Sequence, residues 1–137
     1  MDIPQIQPEA AKKLLESQQA RYLDVRTAGE FHQGHVPGAI NIPIAELDPA
    51  TGRLQANPDF VSAVQAGFPK GKQLIVGCQS GGRSMAACEL LIDAGYTNLH
   101  NLDGGFGGVI APSGQVIQEG WATLGYPIER GSVAAKS

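Results

Sequence analysis

Short apolar runs alternate with helix-like segments along this chain, and that alternation limits the folds open to it. Four apolar runs read as buried strands, at residues 21–26, 39–43, 74–77 and 98–102. Successive strands joined through helices run parallel, and helices then cover both faces of the sheet. We therefore expect an α/β fold with a central parallel sheet, whose ligands bind beyond the carboxyl ends of the strands.

The helical segments carry recognisable start signals. Pro8 precedes an acidic and then a basic stretch, which is typical of a first helix. Thr27 and Glu30 have the spacing of a capping box, so a short helix should begin there. Asn57 and Pro58 open a third helix, and a fourth is expected from about Ser84.

The carboxyl-terminal part is poorer in pattern. Residues 104–118 are rich in glycine and are expected to form a loop, followed by a final helix near residues 119–124. The small polar residues 131–137 predict a flexible tail after a single domain of residues 1–130.

Composition excludes several classes of partner. The 137 residues carry a net charge of -3, so the chain lacks the excess positive charge that is typical of nucleic-acid-binding proteins. No apolar run approaches the roughly 20 residues that span a bilayer, and the N-terminus lacks a secretory pattern, so a cytoplasmic monomer is expected. Two cysteines and three histidines show no spacing typical of metal ligands.

The strand at residues 74–77 ends directly at a cysteine within the sequence CQSGGRS, residues 78–84. A strand that turns sharply into a helix leaves backbone N–H groups without partners. Those donors and the positive end of the helix dipole converge on the loop centre, which here is the sulfur of Cys78. The loop should favour the thiolate, and Cys78 is the candidate nucleophile.

Three segments together resemble the rhodanese family of sulfurtransferases. The first is YLDVR at residues 22–26 with Glu30, Phe31 and GHVPGAINIP at residues 34–43. The second is the cysteine loop, and the third is LDGGF at residues 102–106 with GYP at 125–127. The resemblance implies a single rhodanese-like domain with a central parallel sheet of about five strands.

The resemblance also implies a reaction. Cys78 attacks the outer sulfur of thiosulfate or a persulfide donor, and its own persulfide then gives that sulfur to cyanide or a thiol. No cofactor and no metal are needed, and the acceptor can be a protein. The persulfide-binding loop comprises Gln79, Ser80, Gly81, Gly82, Arg83 and Ser84, whose N–H groups hold the negative charge.

Two other classes of function stay open. Cysteine-dependent phosphatases and arsenate-handling enzymes use the same loop principle, but related phosphatases have a longer loop. Here four residues separate Cys78 from Arg83, which suits sulfur better than a phosphoryl group. The remaining alternative is a non-catalytic rhodanese-like module that binds a protein partner.

Two departures from the family pattern concern the substrate. Gln79 and Ser80 are neutral where some sulfurtransferases carry basic residues, which puts thiosulfate in doubt as the natural donor. Residues 107–118 form an extended insertion near the expected active-site side. Asp24 and Arg26 are expected to form a structural ion pair beneath the loop, because a charge inside a strand is costly unless it is paired.

Overall fold

Five parallel strands form the central sheet of the computed structural model, which describes residues 2–131. The strands are β1 (Gln5–Ile6), β2 (Arg21–Asp24), β3 (Ile40–Asn41), β4 (Ala45–Leu47), β5 (Leu54–Ala56), β6 (Leu74–Gly77), β7 (Leu99–Leu102), β8 (Val109–Ile110) and β9 (Val116–Gln118). The helices are α1 (Pro8–Glu16), α2 (Ala28–Gln33), α3 (Phe60–Gly67) and α4 (Gly82–Asp93).

The order of the central sheet is β1-β7-β6-β2-β3, which places β6 in the middle. Alternate residues of β6 enter two separate hydrophobic clusters. Leu74 and Val76 pack with residues of α3 and α4, whereas Ile75 packs with residues of α1 and α2. Helices therefore cover both faces, and the predicted fold class is confirmed. The fully buried middle strand explains why residues 74–77 form an uninterrupted apolar run.

Local signals account for most helix starts. The capping box at Thr27 is present, with its hydroxyl accepting from the Glu30 N–H and the Glu30 carboxylate accepting from the Thr27 N–H. Pro8 occupies the first turn of α1. None of the helices within residues 2–131 combines the length and the apolar character that crossing a bilayer requires.

The carboxyl-terminal part differs from the sequence prediction in two places. Within the predicted loop, β8 and β9 pair antiparallel as a hairpin. The prediction of a final helix near residues 119–124 is wrong, because hydrogen-bonded turns occupy residues 121–125. The N–H of Trp121 donates to the Gly105 carbonyl instead of entering a helix. A six-residue segment has too few internal hydrogen bonds to outweigh such tertiary partners.

The predicted tail, residues 131–137, lies outside the described residues apart from Gly131. The N–H of Gly131 donates to the carbonyl of His32 at 2.9 Å, which attaches the end of the described chain to α2.

Candidate functional site

Cys78 lies at the carboxyl end of β6, in the middle of the sheet edge where parallel α/β folds bind ligands. Its side chain is buried, and its sulfur contacts groups of the loop that follows. The N–H of Gly81 donates to Sγ at 3.1 Å, and Oγ of Ser84 lies 3.4 Å from the same sulfur. The loop therefore curls around Sγ, and one of the predicted backbone donors, the Gly81 N–H, contacts the sulfur.

Gly81 connects the loop to α4. It is the residue just before the helix, and its φ of 124° lies in a region that residues with a side chain rarely adopt. This conformation turns the Gly81 N–H toward the sulfur. Gly82 follows as the first residue of α4, so the amino end of a 12-residue helix faces Cys78. The positive end of its dipole favours negative charge on the sulfur.

Arg83 does not extend into the loop centre. Its Nη1 and Nη2 donate to the two carboxylate oxygens of Glu30 at 2.7 and 3.0 Å, which ties the first turn of α4 to α2. The hydrogen bonds from Arg83 lower the pKa of Glu30 to about 2, so the pair stays ionised well into acid. The sequence marks Glu30 only as a capping residue; its partnership with Arg83 depends on the tertiary fold.

Asp24 and Arg26 form the buried ion pair expected beneath the loop, with Nη2 of Arg26 2.8 Å from Oδ2 of Asp24. Nη2 also donates to the Gly34 carbonyl, and Nη1 donates to Oε1 of Gln79 at 3.2 Å. The guanidinium stacks on the ring of Phe106 at 4.5 Å. Arg26 thus connects the ion pair to the residue that follows the nucleophile.

The turn at residues 104–107 is hydrogen-bonded to the start of the cysteine loop, and no pattern in the sequence predicts these contacts. The N–H groups of Phe106 and Gly107 donate to the carbonyls of Cys78 and Gln79, both at 2.8 Å. A Cβ on Gly105 would lie 2.6 Å from the Cys78 carbonyl oxygen. Only glycine allows this approach, which accounts for Gly105 in the LDGGF segment.

A cavity of about 360 Å³ opens beside the loop. It is lined by Arg26, Glu30, Gln33, Gly34, Gln79 and Phe106. Gln79 and Ser80 are exposed and neutral, while the guanidinium groups of Arg26 and Arg83 are already paired with carboxylates. The cations next to the loop are therefore largely neutralised by their own partners.

The other cysteine is unsuited to nucleophilic chemistry. Cys88 is fully buried in α4, and burial raises the pKa of its thiol to about 12. No disulfide joins it to Cys78, and both are free thiols. His35 is also buried, with Nδ1 2.7 Å from the Phe31 carbonyl and its ring stacked on that of Phe31. It therefore takes part in packing near the loop.

Comparison with known proteins agrees with this geometry. A family model described as a rhodanese-like domain matches residues 7–111. Thiosulfate sulfurtransferase 16, chloroplastic, of Arabidopsis thaliana is 46% identical over 86 residues, covering 63% of this chain and 70% of that protein. Thiosulfate:glutathione sulfurtransferase of Homo sapiens is 37% identical over 106 residues, covering 75% of this chain and 90% of that protein. The crystal structure of Rv0390 from M. tuberculosis superposes with a TM-score of 0.77 at 26% identity, covering 96% of this chain and 100% of that one.

Proposed function

The chain belongs to the rhodanese-like domain family, and from that premise we propose that it moves a sulfane sulfur from a donor to a nucleophilic acceptor through a persulfide on Cys78. The observation that carries the proposal is the sulfur of Cys78 at the carboxyl edge of β6, within 3.1 Å of the Gly81 N–H and facing the amino end of α4. Sulfurtransferase activity is supported at the level of the family by the names of two relatives.

The proposed reaction has two displacement steps. The Cys78 thiolate attacks the outer sulfur of the donor, a new S–S bond forms, and the old S–S bond breaks with its electron pair leaving on sulfite or a thiolate. The acceptor thiolate or cyanide then attacks the outer sulfur of the persulfide, and Cys78 leaves as thiolate. The Gly81 N–H and the α4 dipole stabilise negative charge at the loop in both steps.

The loop supports sulfur transfer over phosphoryl transfer. Four residues separate Cys78 from Arg83, and both terminal nitrogens of Arg83 donate to Glu30. A phosphoryl group needs donors for several equatorial oxygens around the cysteine, and phosphoryl transfer relies on that charge stabilisation. An arginine engaged by a carboxylate is poorly placed to supply it.

The distribution of charge favours a persulfide donor over thiosulfate. Thiosulfate is a dianion, and the cations beside the loop are paired with Asp24 and Glu30. At its reacting end a low-molecular-weight or protein persulfide carries no more than a single negative charge, so its approach to the sulfur of Cys78 depends less on cations at the loop. Acceptance by a thiol, and action as a cytoplasmic monomer without nucleic acid or membrane partners, belong to the same proposal.

Intact mass measurement tests the reaction directly. The protein is incubated with thiosulfate or with a glutathione persulfide, and we expect the mass to rise by one sulfur atom that a thiol acceptor then removes. Cys88→Ala is the matched control, because Cys88 is the other cysteine and is fully buried. It should take up sulfur like the unaltered chain, whereas Cys78→Ser should not.

Three results would overturn the proposal. Cys78 could gain no sulfur from either donor, or Cys78→Ser could retain full transfer activity. The third is hydrolysis of an aryl phosphate without any sulfur transfer, which would support a phosphatase. Binding of a specific protein that survives Cys78→Ser, together with no persulfide, would support the non-catalytic module.

A further inference from the structure

A buried polar chain runs from the sulfur of Cys78 to the edge strand β1. Oγ of Ser84, 3.4 Å from Sγ, also contacts Oδ1 of Asn101, and Nδ2 of Asn101 donates to Oε1 of Gln5 at 2.8 Å. Ser84 and Asn101 are 0% and 2% exposed. Buried polar side chains are costly unless their hydrogen bonds are satisfied, so the direction of each bond along the chain matters.

The hydroxyl of Ser84 has one proton and three acceptors within reach. They are Sγ of Cys78 at 3.4 Å, the Gly81 carbonyl at 3.1 Å and Oδ1 of Asn101. A hydroxyl donates one good hydrogen bond and accepts through its lone pairs. The Gly81 carbonyl already accepts from the Met85 N–H at 3.1 Å, and a thiol sulfur is a weak acceptor. The Ser84 proton therefore goes to the buried oxygen of Asn101, and a lone pair of Oγ faces the sulfur.

The hydrogen bonds at the Gln5 end of this row of polar side chains require the same direction. Nε2 of Gln5 donates to the Ile3 carbonyl at 3.2 Å, and a backbone carbonyl can only accept. Oε1 of Gln5 therefore faces Asn101, so Asn101 turns its NH₂ toward Gln5 and its oxygen toward Ser84. The parallel register of β1 and β7 pairs Gln5 with Asn101 and brings these amides together.

We propose that Asn101 is a positioning residue for Cys78: by taking the Ser84 proton, it keeps that hydroxyl as an acceptor toward the sulfur. The neutral thiol can then donate its S–H to Ser84, whereas the thiolate receives no hydrogen bond from Ser84. A thiolate with fewer donors is the stronger nucleophile. In the persulfide the inner sulfur carries no negative charge, so the missing hydrogen bond from Ser84 does not destabilise it. The consequences for nucleophilicity and for the persulfide rest on the proposed sulfur transfer, whereas the hydrogen-bond directions do not.

A double-mutant cycle separates this role from simple packing. The ratio of thiolate to thiol at Cys78 is measured from the ultraviolet thiolate absorbance between about pH 5 and pH 9, the range in which reactive thiols titrate. The cycle compares the unaltered chain with Asn101→Ala, Ser84→Ala and the double variant. Cys88 does not contribute, because the pKa of its buried thiol is raised to about 12.

In Asn101→Ala the Ser84 proton has two acceptors left, the Gly81 carbonyl and the sulfur. A charged acceptor forms the stronger hydrogen bond, so the thiolate should win the proton, and we expect the thiolate-to-thiol ratio at a given pH to rise about fivefold. In the Ser84→Ala background, the same substitution should change the ratio by less than about twofold. The other ionisable groups around Cys78 are the same in all four proteins, so their influence cancels. They are Tyr22, Asp24, Arg26, Glu30, Arg83 and Cys88.

Gln5→Ala provides a second route if Asn101→Ala does not fold. Gln5 is exposed, so its loss is tolerated, and it frees the Asn101 amide to turn. We expect the ratio to rise about twofold, and only when Ser84 is present. The proposal is overturned if the thiolate-to-thiol ratio changes equally with Ser84 and with Ser84→Ala. It is also overturned if neither Asn101→Ala nor Gln5→Ala changes the ratio.

The titration needs no sulfur transfer, so the two proposals fail separately. If Cys78 takes up sulfur and the coupling to Ser84 is absent, the role of Asn101 is wrong and the reaction stands. If the coupling is present and no persulfide forms from any donor, Asn101 positions the thiol and the proposed reaction is wrong.

Discussion

Two arginine–carboxylate pairs flank the cysteine loop, and they differ in burial and in the distance they span along the chain. Arg26 and Asp24 are two residues apart, and their side chains are 3% and 2% exposed. Arg83 and Glu30 are 53 residues apart, and their side chains are 26% and 33% exposed. The shortest N–O distances, 2.8 and 2.7 Å, are nearly the same.

Burial makes these similar geometries unequal in energy. Removing one member of a buried pair leaves a charge without water or a partner, which strongly destabilises a fold. A half-exposed pair is screened by solvent and adds little net stability. Neither Asp24 nor Arg26 can therefore be removed alone without a large loss of stability, whereas the Arg83 pair mainly holds α4 and its loop against α2.

The largest effect should follow from removing the buried arginine. Arg26→Met leaves the carboxylate of Asp24 buried and unpaired, so the free energy of unfolding should fall by about 3–5 kcal/mol. Urea denaturation measures the change. Replacing both residues, as Asp24→Leu with Arg26→Met, should restore much of the stability. A loss below about 1 kcal/mol in the single variant would contradict the assigned burial cost.

Removing the half-exposed arginine should affect activity more than stability. Arg83→Met should lower the free energy of unfolding by about 0.5–1 kcal/mol. Sulfur transfer should fall about tenfold, because small displacements of a reacting group are costly. Arg53→Met removes an exposed arginine far from the loop in sequence and is the charge control. Full activity in Arg83→Met would show that the loop needs no tether to α2.

The Glu30 pair should also give a pH signature. The pKa of Glu30 is lowered from 4.5 to about 2 by Arg83, so its stabilising effect is complete above pH 4.5 and is lost as the pH falls through 2. Because the pair is partly exposed, the expected size is about 1 kcal/mol. Urea denaturation of the unaltered chain and Glu30→Gln over this range should give curves that converge in acid. If the two curves of unfolding free energy against pH stayed parallel, the lowered pKa of Glu30 would be contradicted.

The smallest predicted effect concerns the donor. Both arginines beside the loop are already paired, so a new cation at the exposed Ser80 should attract thiosulfate. Ser80→Lys should raise kcat/KM for thiosulfate about threefold at low salt, with the gain fading as ionic strength rises. Ser80→Gln is the neutral control. A gain of equal size in both variants would rule out an electrostatic cause.

Much of the fold follows from local patterns. The apolar runs, the start signals at Pro8, Thr27 and Asn57 and the glycines after Cys78 predicted all four helices within residues 2–131, four strands of the central sheet and the place of Cys78 at the sheet edge. The sequence does not predict β1, because a strand of two residues, Gln5 and Ile6, is too short to show an alternating pattern. The β8–β9 hairpin lay in a glycine-rich stretch whose composition indicated a loop.

The roles of individual site residues depend on partners that spacing does not reveal. Arg83 is a loop cation in the sequence, but in the structure it belongs to a pair with Glu30. Its predicted contact with the persulfide, like that of the other loop residues, stays a prediction. Asn101 lies inside an apolar strand pattern, and only the neighbouring Gln5 and Ser84 show what its amide does.

The sequence by itself determined the α/β class, the carboxyl-edge location of Cys78 and the family resemblance, because these depend on periodicity and on residues adjacent in the chain. The tertiary structure alone decided that Glu30 neutralises Arg83 and which way the Ser84 hydroxyl donates. Those properties depend on contacts between segments far apart in the chain, where burial and a single shared proton select one partner from several.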